Sequence, residues 1–128
     1  MTLLLDTHLA IWWHLEDRRL PKSVRSAVQS NDGPVFVSQV SFWEMAVKIA
    51  VGKASIDLPA FATEIEQLGF SILRITEPQI FEVAALPRFP DHRDPFDRLL
   101  VAQARVESLT LLTADARLAR YRDFVRVV

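Results

Sequence analysis

Four acidic side chains stand where the folding of the chain is expected to bring carboxylates together: Asp6, Glu44, Asp97 and Asp115. Asp6 directly follows the apolar run LLL, and Asp115 closely follows the apolar run in LLTAD. Apolar runs of this length are typical of strands buried in a parallel sheet. Since ligands bind beyond the carboxyl ends of such strands, both acids are expected at one edge of the sheet.

The other two acids are placed by helices. Asp97 lies in the first turn of the predicted helix in HRDPFDRLLVAQA, but a long loop precedes this helix, so the pattern alone does not bring Asp97 to the edge. Glu44 lies in VSFWEMAVKIAVGK, one of the most apolar helices, and is expected to be half-buried. A charge in that position needs a partner.

A cluster of carboxylates predicts a cation. Two carboxylates about 5 Å apart repel by roughly 3 kcal/mol at an effective dielectric constant of about 20. Several together require a cation or partial protonation. All-oxygen ligands favour Mg²⁺ or Mn²⁺ over zinc. Because such ions activate water and stabilise the leaving oxygen of a phosphodiester, the pattern is compatible with RNA cleavage.

Each acid also has a structural interpretation, and the residues alone leave both open. Asp6 is also typical of a turn at the end of a strand, and Asp115 of a cap on the helix that follows. Glu44 and Lys48 have the spacing and orientation of a helical ion pair.

The helix that begins at Pro95 shows the same ambiguity. Asp94 precedes the proline and is expected to cap the helix rather than join the metal shell. Asp97 stands three residues after the cap, where an acid also interacts favourably with the helix dipole, so this structural role stays open.

Basic and aromatic side chains suggest two further surfaces. Arg88, Arg93 and Arg98 crowd the loop and helix start beside the last of the acids, as a phosphate-binding rim or as a solvated face. The adjacent Trp12 and Trp13 cannot easily both face inward, so one is expected in an exposed patch for a protein partner. The three histidines are too scattered to claim as a metal set: His8, His14 and His92.

Composition indicates one globular domain, residues 1–128. Half of the residues are hydrophobic, and the formal net charge of -1 does not by itself indicate a nucleic-acid binder. The absence of cysteine excludes a disulfide framework, a cysteine zinc site and a thiol nucleophile. The sequence MTLLLDTHLAIWW lacks a basic leader, and an early acid interrupts its apolar run, so we expect a cytoplasmic protein without a membrane anchor.

Strands and helices are expected to alternate along the chain. The predicted strands are residues 3–5, 35–38, 70–75, 109–112 and 124–128. The predicted helices are residues 8–15, 21–30, 40–51, 60–68, 78–85, 95–107 and 116–121. This alternation predicts an α/β fold with a mostly parallel five-stranded sheet covered by helices on both faces.

Four blocks of sequence resemble the PIN-domain family, and within it the VapC-type toxins of type II toxin–antitoxin modules. The blocks are LLLDTHLAIWW, VSFWEMAVKIAVGK, DPFDRLLVAQA and LLTADARLARY, in the order and spacing of the family. The resemblance implies a three-layer α/β/α sandwich in which strands 1 and 4 are adjacent. It matches the four acids named above to the acidic positions of the family, and it implies that the start of the 95–107 helix reaches the site.

The resemblance also implies an activity and partners. The activity is endoribonucleolytic cleavage with Mg²⁺ or Mn²⁺, and the partners are RNA, a cognate antitoxin that covers the site, and a second copy in a homodimer. Asp6 and Asp97 are then the expected direct ligands, with Glu44 and Asp115 completing the shell. Thr7 and Thr113 are expected to orient ligands or waters through their hydroxyl groups.

Two other functions compete with RNA cleavage as interpretations of the sequence. A phosphatase or phosphotransferase is disfavoured because Asp6 is followed by Thr7 and His8 instead of forming a D-x-D motif, and because nucleotide-binding glycine loops are absent. A non-catalytic PIN-like protein-binding module stays open, with the acids recruiting basic segments of a partner.

Overall fold

The computed structural model describes all 128 residues, and its strands and helices alternate as the sequence predicts. The strands are β1 (Leu3–Leu5), β2 (Val35–Ser38), β3 (Ser71–Leu73), β4 (Thr110–Thr113) and β5 (Val125–Val127). The helices are α1 (Thr7–His14), α2 (Lys22–Gln29), α3 (Gln39–Ala50), α4 (Leu58–Gln67), α5 (Glu77–Ala85) and α6 (Pro95–Glu107). A 3-10 helical segment, Ala116–Phe124, joins β4 to β5.

The five strands form one sheet in the order β3-β2-β1-β4-β5, and every neighbouring pair is parallel. The sequence predicted a mostly parallel sheet, and the sheet is parallel throughout. The central strand β1 lies between β2 and β4, so the adjacency of strands 1 and 4 is confirmed. The carboxyl ends of these three strands therefore meet at the middle of one edge.

Helices cover both faces of the sheet, which gives three layers. Leu3 and Leu5 point into a core shared with α1, α2 and α4, whereas Leu4 points into a second core built mainly on α6. Leu4 and Leu5 are completely buried. Burial on both faces explains why β1 is a continuous apolar run, and the predicted α/β/α sandwich is confirmed.

The main differences from the predicted elements lie in β3, which is half its predicted length, and towards the end of the chain. The segment 116–124 is a 3-10 helix interrupted at Arg122, whose φ of 55° is not helical. The interruption ends the helical path and directs the chain into β5, which is shorter than predicted. None of the helices has both the length and the apolar character needed to cross a membrane.

Candidate active site

Asp6 leaves the end of β1 at the middle of the sheet edge. Its backbone N–H donates to the carbonyl oxygen of Leu112, and the Thr113 hydroxyl donates to Asp6 Oδ2 at 2.6 Å. The other oxygen, Oδ1, is buried without a hydrogen-bond partner. Although Asp6 occupies the N-cap position of α1, its side chain makes no capping bond. The carboxylate is therefore held in place through Oδ2, while Oδ1 remains able to accept from a ligand.

Glu44 approaches the same edge from the middle of α3. Its side chain is 5% exposed, and Oε2 lies 3.0 Å from Lys48 Nζ, so the predicted helical ion pair is present. Oε1 is buried without a partner, which the ion pair does not explain. One turn earlier, Ser41 Oγ lies 2.8 Å from the buried Thr7 hydroxyl. Thr7 therefore packs α1 against α3 beside the acids.

Asp97 lies in the first turn of α6 with a side chain 14% exposed. Asp94 caps this helix, because its Oδ1 accepts from the backbone N–H groups of Phe96 and Asp97 at 2.9 and 3.1 Å. This is the role expected for Asp94. Asp97 Oδ2 lies 3.1 Å from Nε2 of His92, a residue of the loop that precedes the helix. That loop closes the gap left by the sequence argument and returns the helix start to the sheet edge.

Asp115 follows β4 and caps the 3-10 segment by accepting from the backbone N–H of Arg117. The Arg117 guanidinium also donates to both carboxylate oxygens, at 3.1 and 2.8 Å. The backbone N–H of Asp115 donates to the Thr113 hydroxyl, which itself donates to Asp6. Thr113 thus links the two acids that follow β1 and β4.

The protonation of Asp97 shows how close the acids lie. Burial is the largest of the causes that raise the pKa of Asp97 to about 8. The remaining causes are the negative charges of four neighbouring carboxylates: Asp94, Asp6, Glu44 and Asp115. The structure therefore gathers all four predicted acids into one electrostatic cluster, with Asp94 at its border.

The other two shifts have opposite directions. Burial raises the pKa of Asp6, helped by the charge of Glu44 and opposed by the Thr113 hydrogen bond and by His8. The Arg117 guanidinium holds the pKa of Asp115 below its usual value. Without a cation, the raised pKa values favour protonation of Asp6 and Asp97, whereas the charge of Asp115 is compensated by Arg117.

The ligand chemistry of the cluster fits a hard divalent cation. Asp6 Oδ1 and Glu44 Oε1 are buried acceptors without donors, an arrangement that is unfavourable unless a ligand satisfies them. One ligand atom from each of His92, Asp97 and Asp115 also lies within 4.8 Å of the others. A cleft of about 210 Å³ reaches the cluster between Asp6 and Asp115.

The three arginines considered as a phosphate-binding rim lie together beside this cluster. Arg88, Arg93 and Arg98 line a cleft of about 620 Å³ that also includes His92. Arg98 donates to the carbonyl oxygens of Pro87 and Val83 at 2.8 and 3.2 Å, so much of its hydrogen-bonding capacity is used inside the fold. Arg88 and Arg93 are exposed and make no such bonds.

His92 is the main residue of the site that sequence reasoning missed. The wide separation of the three histidines along the sequence argued against a shared metal site, and His14 lies elsewhere, paired with Glu64. The useful signal was local, since His92 stands two residues before the cap Asp94 in HRDPFD. A loop that delivers the start of α6 to the sheet edge delivers His92 as well.

The expected exposed tryptophan lies at a different position. Trp12 and Trp13 are both partly buried, and the guanidinium groups of Arg19 and Arg25 lie over their rings. The prediction that one of this pair is exposed was wrong. The arginines cover the outer ring surfaces, so adjacent tryptophans are accommodated on one helix. Trp43 is instead 49% exposed.

A parallel α/β/α sandwich with clustered carboxylates at the carboxyl edge of its central strands defines a protein with an acidic cleft whose ligand chemistry fits a divalent cation. The PIN domain matches residues 3–123, nearly the whole chain, and this chain belongs to the PIN-domain family. It is 32% identical over 124 residues to Ribonuclease VapC22 of Mycobacterium tuberculosis. The matched region covers 94% of this chain and 92% of that relative, so the resemblance to the VapC type is confirmed.

Solved structures share the fold at lower identity. VapBC2 from Rickettsia felis, bound to a DNA fragment from its promoter, contains a chain 16% identical to this one with a TM-score of 0.68. The match covers 99% of this chain and 98% of that one. FitAcB from Neisseria gonorrhoeae is 21% identical with a TM-score of 0.68, covering 98% and 96%. A toxin–antitoxin complex from Klebsiella pneumoniae is 17% identical with a TM-score of 0.67, covering 98% and 96%.

Proposed function

We propose that the acidic cluster binds Mg²⁺ or Mn²⁺ and that the chain uses it to cleave RNA internally. A VapC-type ribonuclease of a toxin–antitoxin system is the class indicated by the PIN domain and by the relative Ribonuclease VapC22. The observation that supports the cation most directly is the pair of buried oxygens without donors, Asp6 Oδ1 and Glu44 Oε1. A purely structural carboxylate would have found hydrogen-bond donors for both of its oxygens.

The four acids differ in their proposed roles at the cation. Asp6 and Asp97 are the proposed direct ligands, because each has one oxygen fixed by a hydrogen bond and one left without a partner in the chain. Glu44 and Asp115 complete the shell, and in the cation-free chain each forms an ion pair with a basic side chain. Thr113 fixes the orientation of Asp6. When bound, the cation supplies Lewis-acid stabilisation of the phosphodiester and a water of lowered pKa.

The arginine cleft is the proposed path of the RNA backbone. Arg88 and Arg93 are exposed, and their cleft borders the acidic cluster through His92. Guanidinium groups bind phosphate oxygens in two-point contacts, which position a strand without reading its bases. Arg98 also lines the cleft, and we assign it mainly to holding the loop.

A cognate antitoxin and a second copy of the chain are the proposed protein partners. The antitoxin is proposed to cover the acidic cleft, and the relation to toxin–antitoxin complexes supports this. For the homodimer we propose the exposed stripe on α3 and its C-cap residue, formed by Trp43, Val47 and Val51 at intervals of four residues. Aligned apolar side chains of this kind are typical of protein interfaces.

The test is cleavage of total RNA by the purified, partner-free chain in Mg²⁺, in Mn²⁺ and in EDTA. We expect discrete cuts only with a cation, and none with Asp6→Asn. Asp32→Asn is a matched control, because Asp32 is exposed in the loop between α2 and β2. Product ends should carry 5′-phosphate and 3′-hydroxyl groups. Products with 2′,3′-cyclic phosphate, or equal cleavage in EDTA, would contradict the proposal.

A further inference from the structure

His92 is a buried imidazole with a hydrogen-bond partner at each nitrogen. Its side chain is 1% exposed. Nε2 lies 3.1 Å from Asp97 Oδ2, and Nδ1 lies 3.2 Å from the hydroxyl oxygen of Tyr121. The ring therefore connects an acid of the cluster to the 3-10 segment on the far side of the loop.

Arg98, which contacts Tyr121, determines the tautomer of His92. Arg98 Nη1 lies 3.3 Å from the Tyr121 hydroxyl oxygen, and a guanidinium has only donors. The tyrosine oxygen therefore accepts from Arg98. Its own proton has no acceptor in the chain other than His92 Nδ1, so the hydroxyl donates to the ring. A neutral ring that accepts at Nδ1 carries its proton on Nε2, which donates to Asp97 Oδ2.

Arg98 and Tyr121 are themselves held by contacts with the rest of the fold. The guanidinium of Arg98 is held by the carbonyl oxygens of Pro87 and Val83. Tyr121 is 7% exposed and packs edge-on against Phe89, with 5.3 Å between ring centroids. These contacts hold the guanidinium and the phenol ring in place, so the Tyr121 oxygen stays within reach of His92.

We propose that His92 is a positioning residue of the nuclease, held by Tyr121 and Arg98 so that it orients Asp97 for cation binding. The inference rests on the proposed function of the acidic cluster. Donation to Oδ2 would fix the carboxylate and leave Oδ1, which has no hydrogen-bond partner in the chain, available to a cation. His92 is not itself a ligand in this arrangement, although it lies within reach of Asp97 and Asp115, because both of its nitrogens are engaged.

The first test is Mn²⁺ binding to the partner-free chain, measured by calorimetry. His92→Leu removes the donor and should weaken Mn²⁺ binding about 10- to 100-fold, the usual loss when a group that orients a metal ligand is removed. His92→Gln keeps an N–H donor and should recover part of that loss. Tyr121→Phe keeps the ring packing and should weaken binding by a smaller factor. His14→Gln, in the distant pair with Glu64, is the control.

Cleavage kinetics separate orientation from folding. With His92→Leu, the Mn²⁺ concentration at half-maximal cleavage should rise in parallel with the dissociation constant, and saturating Mn²⁺ should restore much of the rate. A loss of rate with no change in the Mn²⁺ requirement would show a structural role and overturn the proposal. Wild type that binds no Mn²⁺ would instead refute the proposed function itself.

Spectroscopy tests the hydrogen-bond direction independently. In ¹⁵N spectra of the metal-free chain at alkaline pH, His92 should be the Nε2–H tautomer, and Tyr121→Phe should lose this preference. An Nδ1–H tautomer in wild type would overturn the proposal. So would nitrogen coupling from His92 in the pulsed EPR spectrum of the Mn²⁺-loaded chain, because that coupling identifies a direct ligand.

Discussion

Asp97 shows at the scale of one residue how burial, together with neighbouring charges, makes the ionised form of a carboxyl group unfavourable. Burial and neighbouring carboxylates raise its pKa to about 8. An aspartate in the unfolded chain ionises near pH ~4. At intermediate pH the folded chain therefore holds a proton that the unfolded chain has lost. The resulting stability is fully present at low pH and is lost as the pH rises towards the folded pKa.

The first prediction concerns this pH dependence. In metal-free buffer, Asp97→Asn should be more stable than wild type, by roughly 1–3 kcal/mol at pH ~8 and by less at pH ~5. The reason is that the amide cannot ionise, whereas wild type must place a further charge in the cluster. Denaturant unfolding at both pH values measures the difference. A variant less stable than wild type at the higher pH would show that Asp97 is a structural acid.

The second prediction concerns the arginine on Asp115. Arg117 donates to both oxygens of this carboxylate and competes with a cation for them. Because Arg117 is exposed, the contribution of the pair is modest. Arg117→Ala should strengthen Mn²⁺ binding by about 2- to 5-fold in calorimetry. Arg105→Ala, which loses a surface pair with Glu82, is the control. Weaker Mn²⁺ binding by Arg117→Ala would contradict the competition.

At the scale of the elements, the start of α6 carries both a cap and a proposed ligand. Asp94→Ala should lower stability by about 1 kcal/mol, whereas Asp94→Asn should not, because asparagine caps a helix equally well. Thermal unfolding of the metal-free variants measures this. Mn²⁺ binding by Asp94→Asn should stay within a few-fold of wild type. Loss of binding in that variant would make Asp94 a metal ligand rather than a cap.

Local patterns predicted the elements well where a cap or an apolar run marks them. β2 and α6 have the predicted bounds, since Pro34 and Asn31 precede the first and Asp94 with Pro95 begins the second. The termini of β3 and β5 were not predicted, because pairing at the sheet edges decides where they end. The 3-10 segment was expected as a short helix over residues 116–121, and its break at Arg122 has no local signal.

The candidate site was predictable to the extent that backbone topology positions it. The positions of Asp6 and Asp115 follow from parallel strands that end at one edge, and the structure gathers Glu44 and Asp97 with them. His92 was not found, because its contacts depend on a loop with no periodic pattern. Side-chain pairs across elements, such as Thr7 with Ser41, are likewise invisible to spacing rules.

At the scale of the whole molecule, the parallel sheet leaves one edge acidic and one helix face apolar. The α3 stripe is the proposed contact between two copies of the chain. Val47→Lys should convert a dimer to a monomer in light scattering coupled to size exclusion, because a lysine cannot be buried unpaired at the contact. Glu66→Lys, on the exposed face of α4, is the matched control. A dimer that persists in Val47→Lys would place the contact elsewhere.

Mn²⁺ titration of the partner-free chain in a calorimeter tests the central claim most directly, because it needs no knowledge of the RNA. We predict saturable binding at pH ~7 with release of protons, since Asp97 must ionise to bind the cation. Asp97→Asn should lose most of that binding and its proton release. Absence of saturable binding to wild type would contradict the nuclease site and favour a cluster that recruits basic segments of a protein partner.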